Sequence, residues 1–328
     1  MSGIRTLHIA AGNSGQRLDR WFRQRFPGVP HGRVEKLLRT GQIRVDGRRI
    51  KGSHRLRTGE AVRIPPLPDA SDTRSAPKTS DTDIAFMQSL IIYDDHDLIA
   101  LNKPFGLAVQ GGSKTHRHID GLLPALGDGC RLIHRLDRDT TGVLVVAKNA
   151  KAAAWAGKAF QSRKAEKIYW AVTNGVPKPL SGEIKGYMAK GKPDNRFGHE
   201  HTGREIMQAV RHGTDGARHA RTLYQVPQTA GQKAALVIMQ PLTGRTHQLR
   251  LHMQLLGAPV AADPKYMTDR PLPGGLDKKL HLHAKCLTLP GPCGDLSFEA
   301  PLPDHMNRTF ATLGFNPNPE LLPWEELR

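Results

Sequence analysis

Cysteine is scarce in this chain: three occur in 328 residues, Cys130, Cys286 and Cys293. The number is odd and no Cys-x-x-Cys pair exists, which leaves no basis for a disulfide framework or a thiolate zinc site. Long apolar runs are missing too. None approaches the roughly 18–20 residues of a membrane-spanning helix, and the first residues lack the apolar core of a secretory signal. Acidic residues are also few, 30 Asp and Glu against 48 Lys and Arg, so the formal charge is +18. That balance favours a polyanionic partner through phosphate neutralisation and counterion release, with nucleic acid ahead of a membrane surface. A soluble, monomeric protein of a reducing, cytoplasmic compartment of bacterial type is expected, with no membrane role.

The charge is unevenly spread. Residues 1–66 carry 15 Lys and Arg against 4 acidic residues, and so hold +11 of the +18. Within 15–26, Leu18, Trp21, Phe22 and Phe26 fall on one helical face, with Arg17 and Arg20 around it. A second short helix turns Val34, Leu37 and Leu38 inward and Lys36 and Arg39 outward, with Gly41 as its natural stop. Ile43 and Val45 then alternate as in a strand that carries Arg44. Asp46-Gly47 is a strong hairpin turn, Arg48 follows it, and Ala61–Ile64 reads as a further strand. Arg17, Arg20, Lys36, Arg39, Arg44 and Arg48 are the candidate RNA contacts of this unit. Its pattern, Gly-Gln-Arg-Leu-Asp followed by Gly-x-Ile-x-Val-Asp-Gly, resembles the αL RNA-binding module found on many RNA-modifying enzymes.

Pro65-Pro66-Leu67-Pro68 closes the unit, and residues 67–88, rich in Ser, Thr, Asp and Pro, read as a flexible linker. From 89 to 328 short apolar strands alternate with loops: 97–101, 143–147, 167–173, 234–239 and 281–289. Helices are expected over 150–163, on Trp155, Ala156, Ala159 and Phe160, and over 246–256, on Leu249, Met253 and Leu256. Strands outnumber helices without strict alternation, which indicates an α+β fold with a mixed, largely antiparallel sheet.

Three segments of this second part carry chemistry. At 134–148, HRLDRDTTGVLVVAK places Asp137 on a loop before a strand, between Arg135 and Arg138 and ahead of a Gly-containing turn. Taken alone, an aspartate before such a turn is more often a structural cap. At 240–257, QPLTGRTHQLRLHMQLLG is a strand end, a turn with Arg245 and a helix. At 98–112, LIALNKPFGLAVQGG is a strand running into a Lys-Pro turn and a Gly pair.

Together these segments resemble the RluA-type pseudouridine synthases, in particular the two-domain branch that modifies large-subunit rRNA, with Leu107–Gly112 closer to the RluC than the RluD side. Six family segments appear in order between about 15 and 300: the basic αL module, Asn-Lys-Pro-x-Gly, His-Arg-Leu-Asp, Lys-x-Tyr, Gly-Arg-Thr-His-Gln-Leu-Arg and Leu-His-Ala. The resemblance implies a pseudouridine synthase catalytic domain behind a small RNA-binding domain, acting on ribosomal RNA, with no cofactor and no metal. It implies Asp137 as the essential carboxylate, Tyr169 against the target pyrimidine, and Arg245 paired with Asp137. It also implies Arg135 in the space left by the flipped nucleotide. Thr141 replaces the usual Ser, Trp170 a common Leu, and Ala262-Asp263-Pro264 a common Gly-Asp segment.

The chemistry is consistent with so small a set of groups. Breaking C1′–N1, turning the uracil and rejoining it through C5 is redox-neutral and needs no water. One ionised carboxylate serves, as nucleophile at C1′ or as base at C2′, and both routes remain open. Three other classes compete with this reading. A zinc enzyme would draw on His281, His283 and Cys286, or on His116 and His118, but nothing at ligand spacing completes either set. A glycosidase would need two carboxylates facing across a sugar, and Asp137 and Asp139 are only two apart. A non-catalytic ribosome-assembly factor would need the basic module but not Asp137, Tyr169 and Arg245 together. Within the synthase reading, a tRNA or dual-specificity enzyme is the alternative.

Overall fold

The computed structural model describes residues 3–26, 28–29, 31–67, 80–111, 115, 117–191 and 206–327. These fall into two compact units, the first ending at Leu67 and the second starting at Ser80.

The first unit runs β1 (Arg5–His8), α1 (Leu18–Arg25), α2 (His31–Arg39), β2 (Arg44–Val45) and β3 (Ala61–Ile64). Its three strands form an antiparallel sheet in the order β1-β3-β2. Leu18, Trp21 and Phe22 of α1 meet Val34, Leu37 and Leu38 of α2 and Val45, Val62 and Ile64 of the sheet in one core. Gly41 ends α2 at φ +68, a left-handed conformation that glycine adopts without strain. At the Asp46-Gly47 turn both residues have positive φ, and Val45 and Arg48 exchange both backbone hydrogen bonds, as a two-residue hairpin requires. β1 was not foreseen; its four residues gain their place by pairing with β3 rather than by an apolar pattern.

The second unit runs α3 (Asp81–Ser89), β4 (Ile91–Asp94), β5 (Leu98–Lys103), α4 (Ile119–Leu122), β6 (Arg131–Leu132), β7 (Thr141–Ala147), α5 (Ala150–Gln161), β8 (Glu166–Asn174), β9 (Ser181–Gly191), β10 (Ile206–Val210), β11 (Arg218–Ala230), β12 (Ala234–Pro241), α6 (Gln248–Leu255), β13 (Leu282–Gly291), β14 (Gly294–Glu299) and α7 (Asp304–Leu313). Helix α3 corrects the linker expectation, which ran to residue 88. Ser80 accepts the Asp83 N–H as a cap, Asp81 and Asp83 occupy the positive first turn, and Met87 is fully buried. The polar composition concealed a capping signal. Residues 68–79 of the expected linker lie outside the described residues.

The large sheet has the order β10-β9-β11-β12-β8-β13-β7-β5-β4, with β14 on β13 and β6 on β7. Among the described strands only the β13–β7 pair is parallel, so the mixed, largely antiparallel α+β expectation holds. Every residue of β7 is buried, because alternate side chains feed two cores. Val143, Val145 and Ala147 pack on Ala152, Ala156 and Ala159 of α5; Leu144 and Val146 pack with Met87 of α3 and Ile119 of α4. β8 and β12 do the same between α7 and α6, with Trp170 and Val172 toward Met306 and Phe310 and Ala171 and Val237 toward Leu249 and Met253. The sheet is thus a central layer with helices on both faces.

Candidate active site

The loop joining β6 to β7 carries Asp137, and its neighbours fix it. His134 turns inward, stacks on Phe160 of α5 at 4.6 Å between ring centres, and accepts the Val145 N–H at 2.9 Å. Burial pushes its imidazole down to about 3, so the ring is neutral and free to accept. Leu136 is buried in the core beside Leu144 and Val146, whereas Arg135 is exposed. The Thr140 N–H closes the turn on the Asp137 carbonyl at 3.2 Å. Gly142 then enters β7 at φ +105, where a Cβ would lie 2.2 Å from the Ala284 carbonyl oxygen of β13. Only glycine allows that approach, which carries the Asp137 loop onto the parallel strand pair.

Lys103, at the end of β5, anchors the same loop. It is fully buried and donates to the carbonyls of Pro104, Leu107 and Arg138 at 2.9, 2.9 and 2.8 Å. Three acceptors match the three N–H bonds of the ammonium form. Burial draws its pKa down to about 7, while Asp139 and Asp137 act in the opposite direction.

Asp137 faces a cavity of about 510 Å³ lined by Arg135, Phe160, Arg163, Lys167, Tyr169, Arg245, His247, Arg250 and Leu282 among others, a volume ordinary for a small-ligand site. Tyr169 comes from β8, where it pairs with Met239 of β12 and Ala284 of β13. Burial, and the charge of Asp137, hold its phenol well above the usual range, so the hydroxyl stays protonated.

The expected partner of Asp137 needs correcting. Arg245 lines the cavity, but its Nε donates to the His219 carbonyl at 3.0 Å, and the turn holds it away from the carboxylate. The cation at Asp137 is Arg250, five residues on, with Nη1 3.8 Å from Oδ2. Arg250 is 3% exposed and makes a two-pronged pair with Asp263, both contacts at 2.6 Å. The cause is the geometry of the turn. Gln248 accepts from Thr243 Oγ1 and the Arg245 N–H and donates to the Arg221 carbonyl and Thr222, tying the turn to β11. α6 starts only there, with His247 at φ +53 before it, and its first turn carries Arg250 inward. Burial raises the Asp137 pKa above the ordinary aspartate value, and Arg250, Arg135, Lys265 and Lys103 oppose that rise. A site of this kind holds an isolated carboxylate, more basic than in water, beside an aromatic wall and under a cationic rim.

That set of segments also decides the family. The RNA pseudouridylate synthase family matches residues 97–255. Over 304 residues the chain is 34% identical to a ribosomal large subunit pseudouridine synthase C of Rickettsia bellii, covering 89% of this chain and 96% of that protein. A protein of the same name from Vibrio vulnificus is 33% identical over 327 residues, 95% of this chain and 99% of its own. The chain belongs to the RNA pseudouridylate synthase family. Among solved structures, human RNA pseudouridylate synthase domain containing 4 is similar at 30% identity and a TM-score of 0.59, covering 71% of this chain and 97% of that one. As an RNA pseudouridine synthase, the enzyme rearranges a base already present in its substrate.

Other expected residues divide. In the first unit Arg20, Lys36, Arg39 and Arg48 are exposed. Arg17 is exposed too but paired with Asp19, its Nε 3.1 Å from Oδ1, and Arg44 is half-buried on the carbonyls of Gly41 and Gly47 at 3.0 and 3.2 Å. Each has two of its nitrogens engaged inside the unit. The histidines weighed as zinc ligands are engaged by hydroxyls, His281 Nε2 with Thr309 and His283 Nδ1 with Thr141, both at 2.8 Å. Among the described residues no three His, Cys, Asp or Glu side chains are grouped to hold a metal ion, and His116 lies outside them. No described helix is long and apolar enough to cross a membrane.

Arg250, His247 and Lys103 were missed as site residues. The signal for Arg250 was present: a permanently charged side chain amid Leu249, Leu251 and Met253 must be paired where it is buried.

Proposed function

We propose that the protein isomerises specific uridines of large-subunit (23S) ribosomal RNA to pseudouridine, with Asp137 acting at the ribose of a nucleotide turned out of its stack. The observation that carries this is the placement of Asp137: a carboxylate on a pinned loop, 25% exposed, opening on a cavity with Tyr169 and Arg250 beside it. The names of the two bacterial relatives support rRNA as substrate, and a bacterial cytoplasmic location with it.

The residues divide the work by their chemistry. C1′–N1 breaks and C1′–C5 forms, while N1 takes up a proton and C5 loses one. A carboxylate whose pKa is raised by burial is a better base at C2′, and a better nucleophile at C1′, than one in water. Arg250, held by Asp263, keeps that carboxylate oriented and limits the rise. Tyr169 offers a ring face to the pyrimidine and, staying protonated, a hydrogen-bond donor rather than a base. Extruding a paired base costs a few kcal/mol, and Arg135, exposed at the cavity, occupies the vacated stack and offsets part of that. Arg163, Lys167 and Arg245 line the same cavity and meet the phosphates of the extruded nucleotide. The first unit docks as a monomer-borne module through Arg20, Lys36, Arg39 and Arg48.

The test is Asp137→Asn in a strain lacking the native gene, with pseudouridines mapped across rRNA and tRNA. Loss confined to large-subunit rRNA, restored by the native protein and not by the variant, is expected. Losses confined to tRNA would replace the substrate, and full restoration by the variant would overturn the role of Asp137.

A further inference from the structure

Two groups from the start of α6 approach Asp137, and both approach the same oxygen. Arg250 Nη1 lies 3.8 Å and His247 Nε2 3.9 Å from Oδ2. Arg250 has its own anchor in Asp263, whereas His247 has no part in the chemistry set out above. Its imidazole is 12% exposed, and its second nitrogen, Nδ1, lies 3.1 Å from the Tyr266 hydroxyl. Tyr266 is buried, meets the imidazole edge-on at 5.6 Å, and lies 5.2 Å under the Arg250 guanidinium.

The Tyr266 hydroxyl decides which nitrogen of His247 carries the proton. It already accepts the Met207 N–H at 3.0 Å. Its one hydrogen has two acceptors in reach, His247 Nδ1 at 3.1 Å and the Met207 carbonyl at 3.3 Å. If the hydrogen goes to Met207, the imidazole carries its proton on Nδ1, and the Nε2 lone pair faces a carboxylate oxygen. Two acceptors would then oppose each other in a largely desolvated site. If it goes to Nδ1, Nε2 carries the proton and points it at Oδ2 across 3.9 Å, longer than a hydrogen bond, so the attraction is that of an N–H dipole for a charge. The second arrangement uses the shorter contact and removes the repulsion. A doubly protonated ring is not an alternative: burial, with Arg250, Lys265 and Arg135 nearby, holds the imidazole down to about 3, against the opposing pull of Asp263.

We propose that His247 is a positioning residue for this reaction: Tyr266 locks it as the Nε2–H tautomer, and with Arg250 it holds Oδ2 of Asp137, leaving Oδ1 as the oxygen that meets the ribose. The inference rests on Asp137 being the catalytic carboxylate. It gives the carboxylate one charged and one neutral N–H group on the same side, so a single oxygen is presented to substrate. The other charged groups facing Asp137 are Arg135, Lys265 and Lys103, with Tyr169 across the cavity.

Two measurements test it. In protein carrying ¹⁵N-histidine, long-range ¹⁵N–¹H spectra report the His247 tautomer directly. The Nε2–H form is expected in the native enzyme and a mixture in Tyr266→Phe; an Nδ1–H form in the native enzyme overturns the proposal. The second is single-turnover kinetics of His247→Gln and His247→Asn. A glutamine amide nitrogen reaches the place of Nε2, and an asparagine amide does not. The backbone favours the opposite order, because His247 lies at φ +53, where asparagine is tolerated better than glutamine. We expect Asn to lower the rate roughly 3- to 10-fold at unchanged RNA affinity, the range of one weak polar contact, with Gln recovering most of it. Asn equal to or better than Gln means His247 serves the backbone alone and overturns the proposal. Asp137→Asn run alongside separates the two readings. An active Asp137→Asn removes the catalytic assignment whatever the tautomer, and an inactive one with an Nδ1–H imidazole removes only the role of His247.

Discussion

Removing the charge of Arg250 while leaving no other buried charge unpaired tests what that guanidinium, with its Asp263 anchor, does to Asp137. Arg250→Gln alone would strand Asp263, whose side chain is fully buried, and breaking one partner of a buried pair costs about 3–5 kcal/mol of stability. The double variant Arg250→Gln/Asp263→Asn replaces the pair by two amides that hydrogen-bond in its place. The lost attraction follows from the separation of 3.8 Å between Nη1 and Oδ2. At an effective dielectric constant between about 20 and 80, it amounts to roughly 1–4 kcal/mol, or about 1–3 pKa units, an upper bound because the double variant also removes the Asp263 carboxylate, whose loss acts in the opposite direction. With Asp137 as the proposed acting carboxylate, it must be ionised, so the rate falls as pH drops through its pKa, and losing a nearby cation raises that pKa. The acid limb of the profile therefore moves to higher pH, by at most about 1–3 units, while the plateau falls less. The assay is single-turnover release of tritium from C5-labelled uridine in an rRNA fragment, followed from about pH 5 to 9. Arg245→Gln is the control. It removes an equal charge from the same segment, five residues away and turned to His219 instead, and leaves the acid limb in place while weakening RNA binding. If Arg245→Gln moves the limb, or the double variant leaves it where it was, the assignment of Arg250 as the partner is wrong.

Gly142→Ala is expected to lose at least about 3 kcal/mol in denaturant unfolding, from left-handed strain of roughly 1–2 kcal/mol plus a Cβ driven against the Ala284 carbonyl; an unchanged midpoint would contradict the close approach of β7 and β13. Replacing Arg20, Lys36, Arg39 and Arg48 together by Gln should flatten the salt dependence of RNA binding by about three in log–log slope, at 0.7–0.9 per phosphate contact, and leave the rate on bound RNA unchanged. The same change at Arg17 and Arg44, each with two of its nitrogens engaged inside the unit, moves the slope by less than half as much per residue. A chelator should leave turnover intact, and clear inhibition would return attention to a metal.

What could be read from the sequence and what could not differ for a physical reason. Asp137 and Tyr169 were named by the family resemblance, and both line one cavity because each sits where local pattern determines direction. Asp137 is in a short loop whose alternation sends His134 and Leu136 inward, and Tyr169 is in a strand whose period of two sets its face. The large sheet followed from apolar strands of the right length, although α3 was hidden by polar composition and β1 by its dependence on a distant strand. Arg245 and Arg250 illustrate the limit. They lie five apart on either side of a helix start, so the one that reaches Asp137 depends on where that helix begins and how the chain enters it. Both are set by contacts remote in sequence. Gln248 ties the turn to Arg221 and Thr222, and Asp263, thirteen residues on, grips Arg250 from outside the helix. Once α6 begins after the left-handed residue His247, positions 247 and 250 stand three apart and share a side. That spacing brings two residues of a motif read as one arginine within 4 Å of one carboxylate oxygen. A polar residue in a buried helix is thus a statement about a partner elsewhere: Gln248, Arg250 and His252 are all buried in α6, and each is bonded to a group outside it.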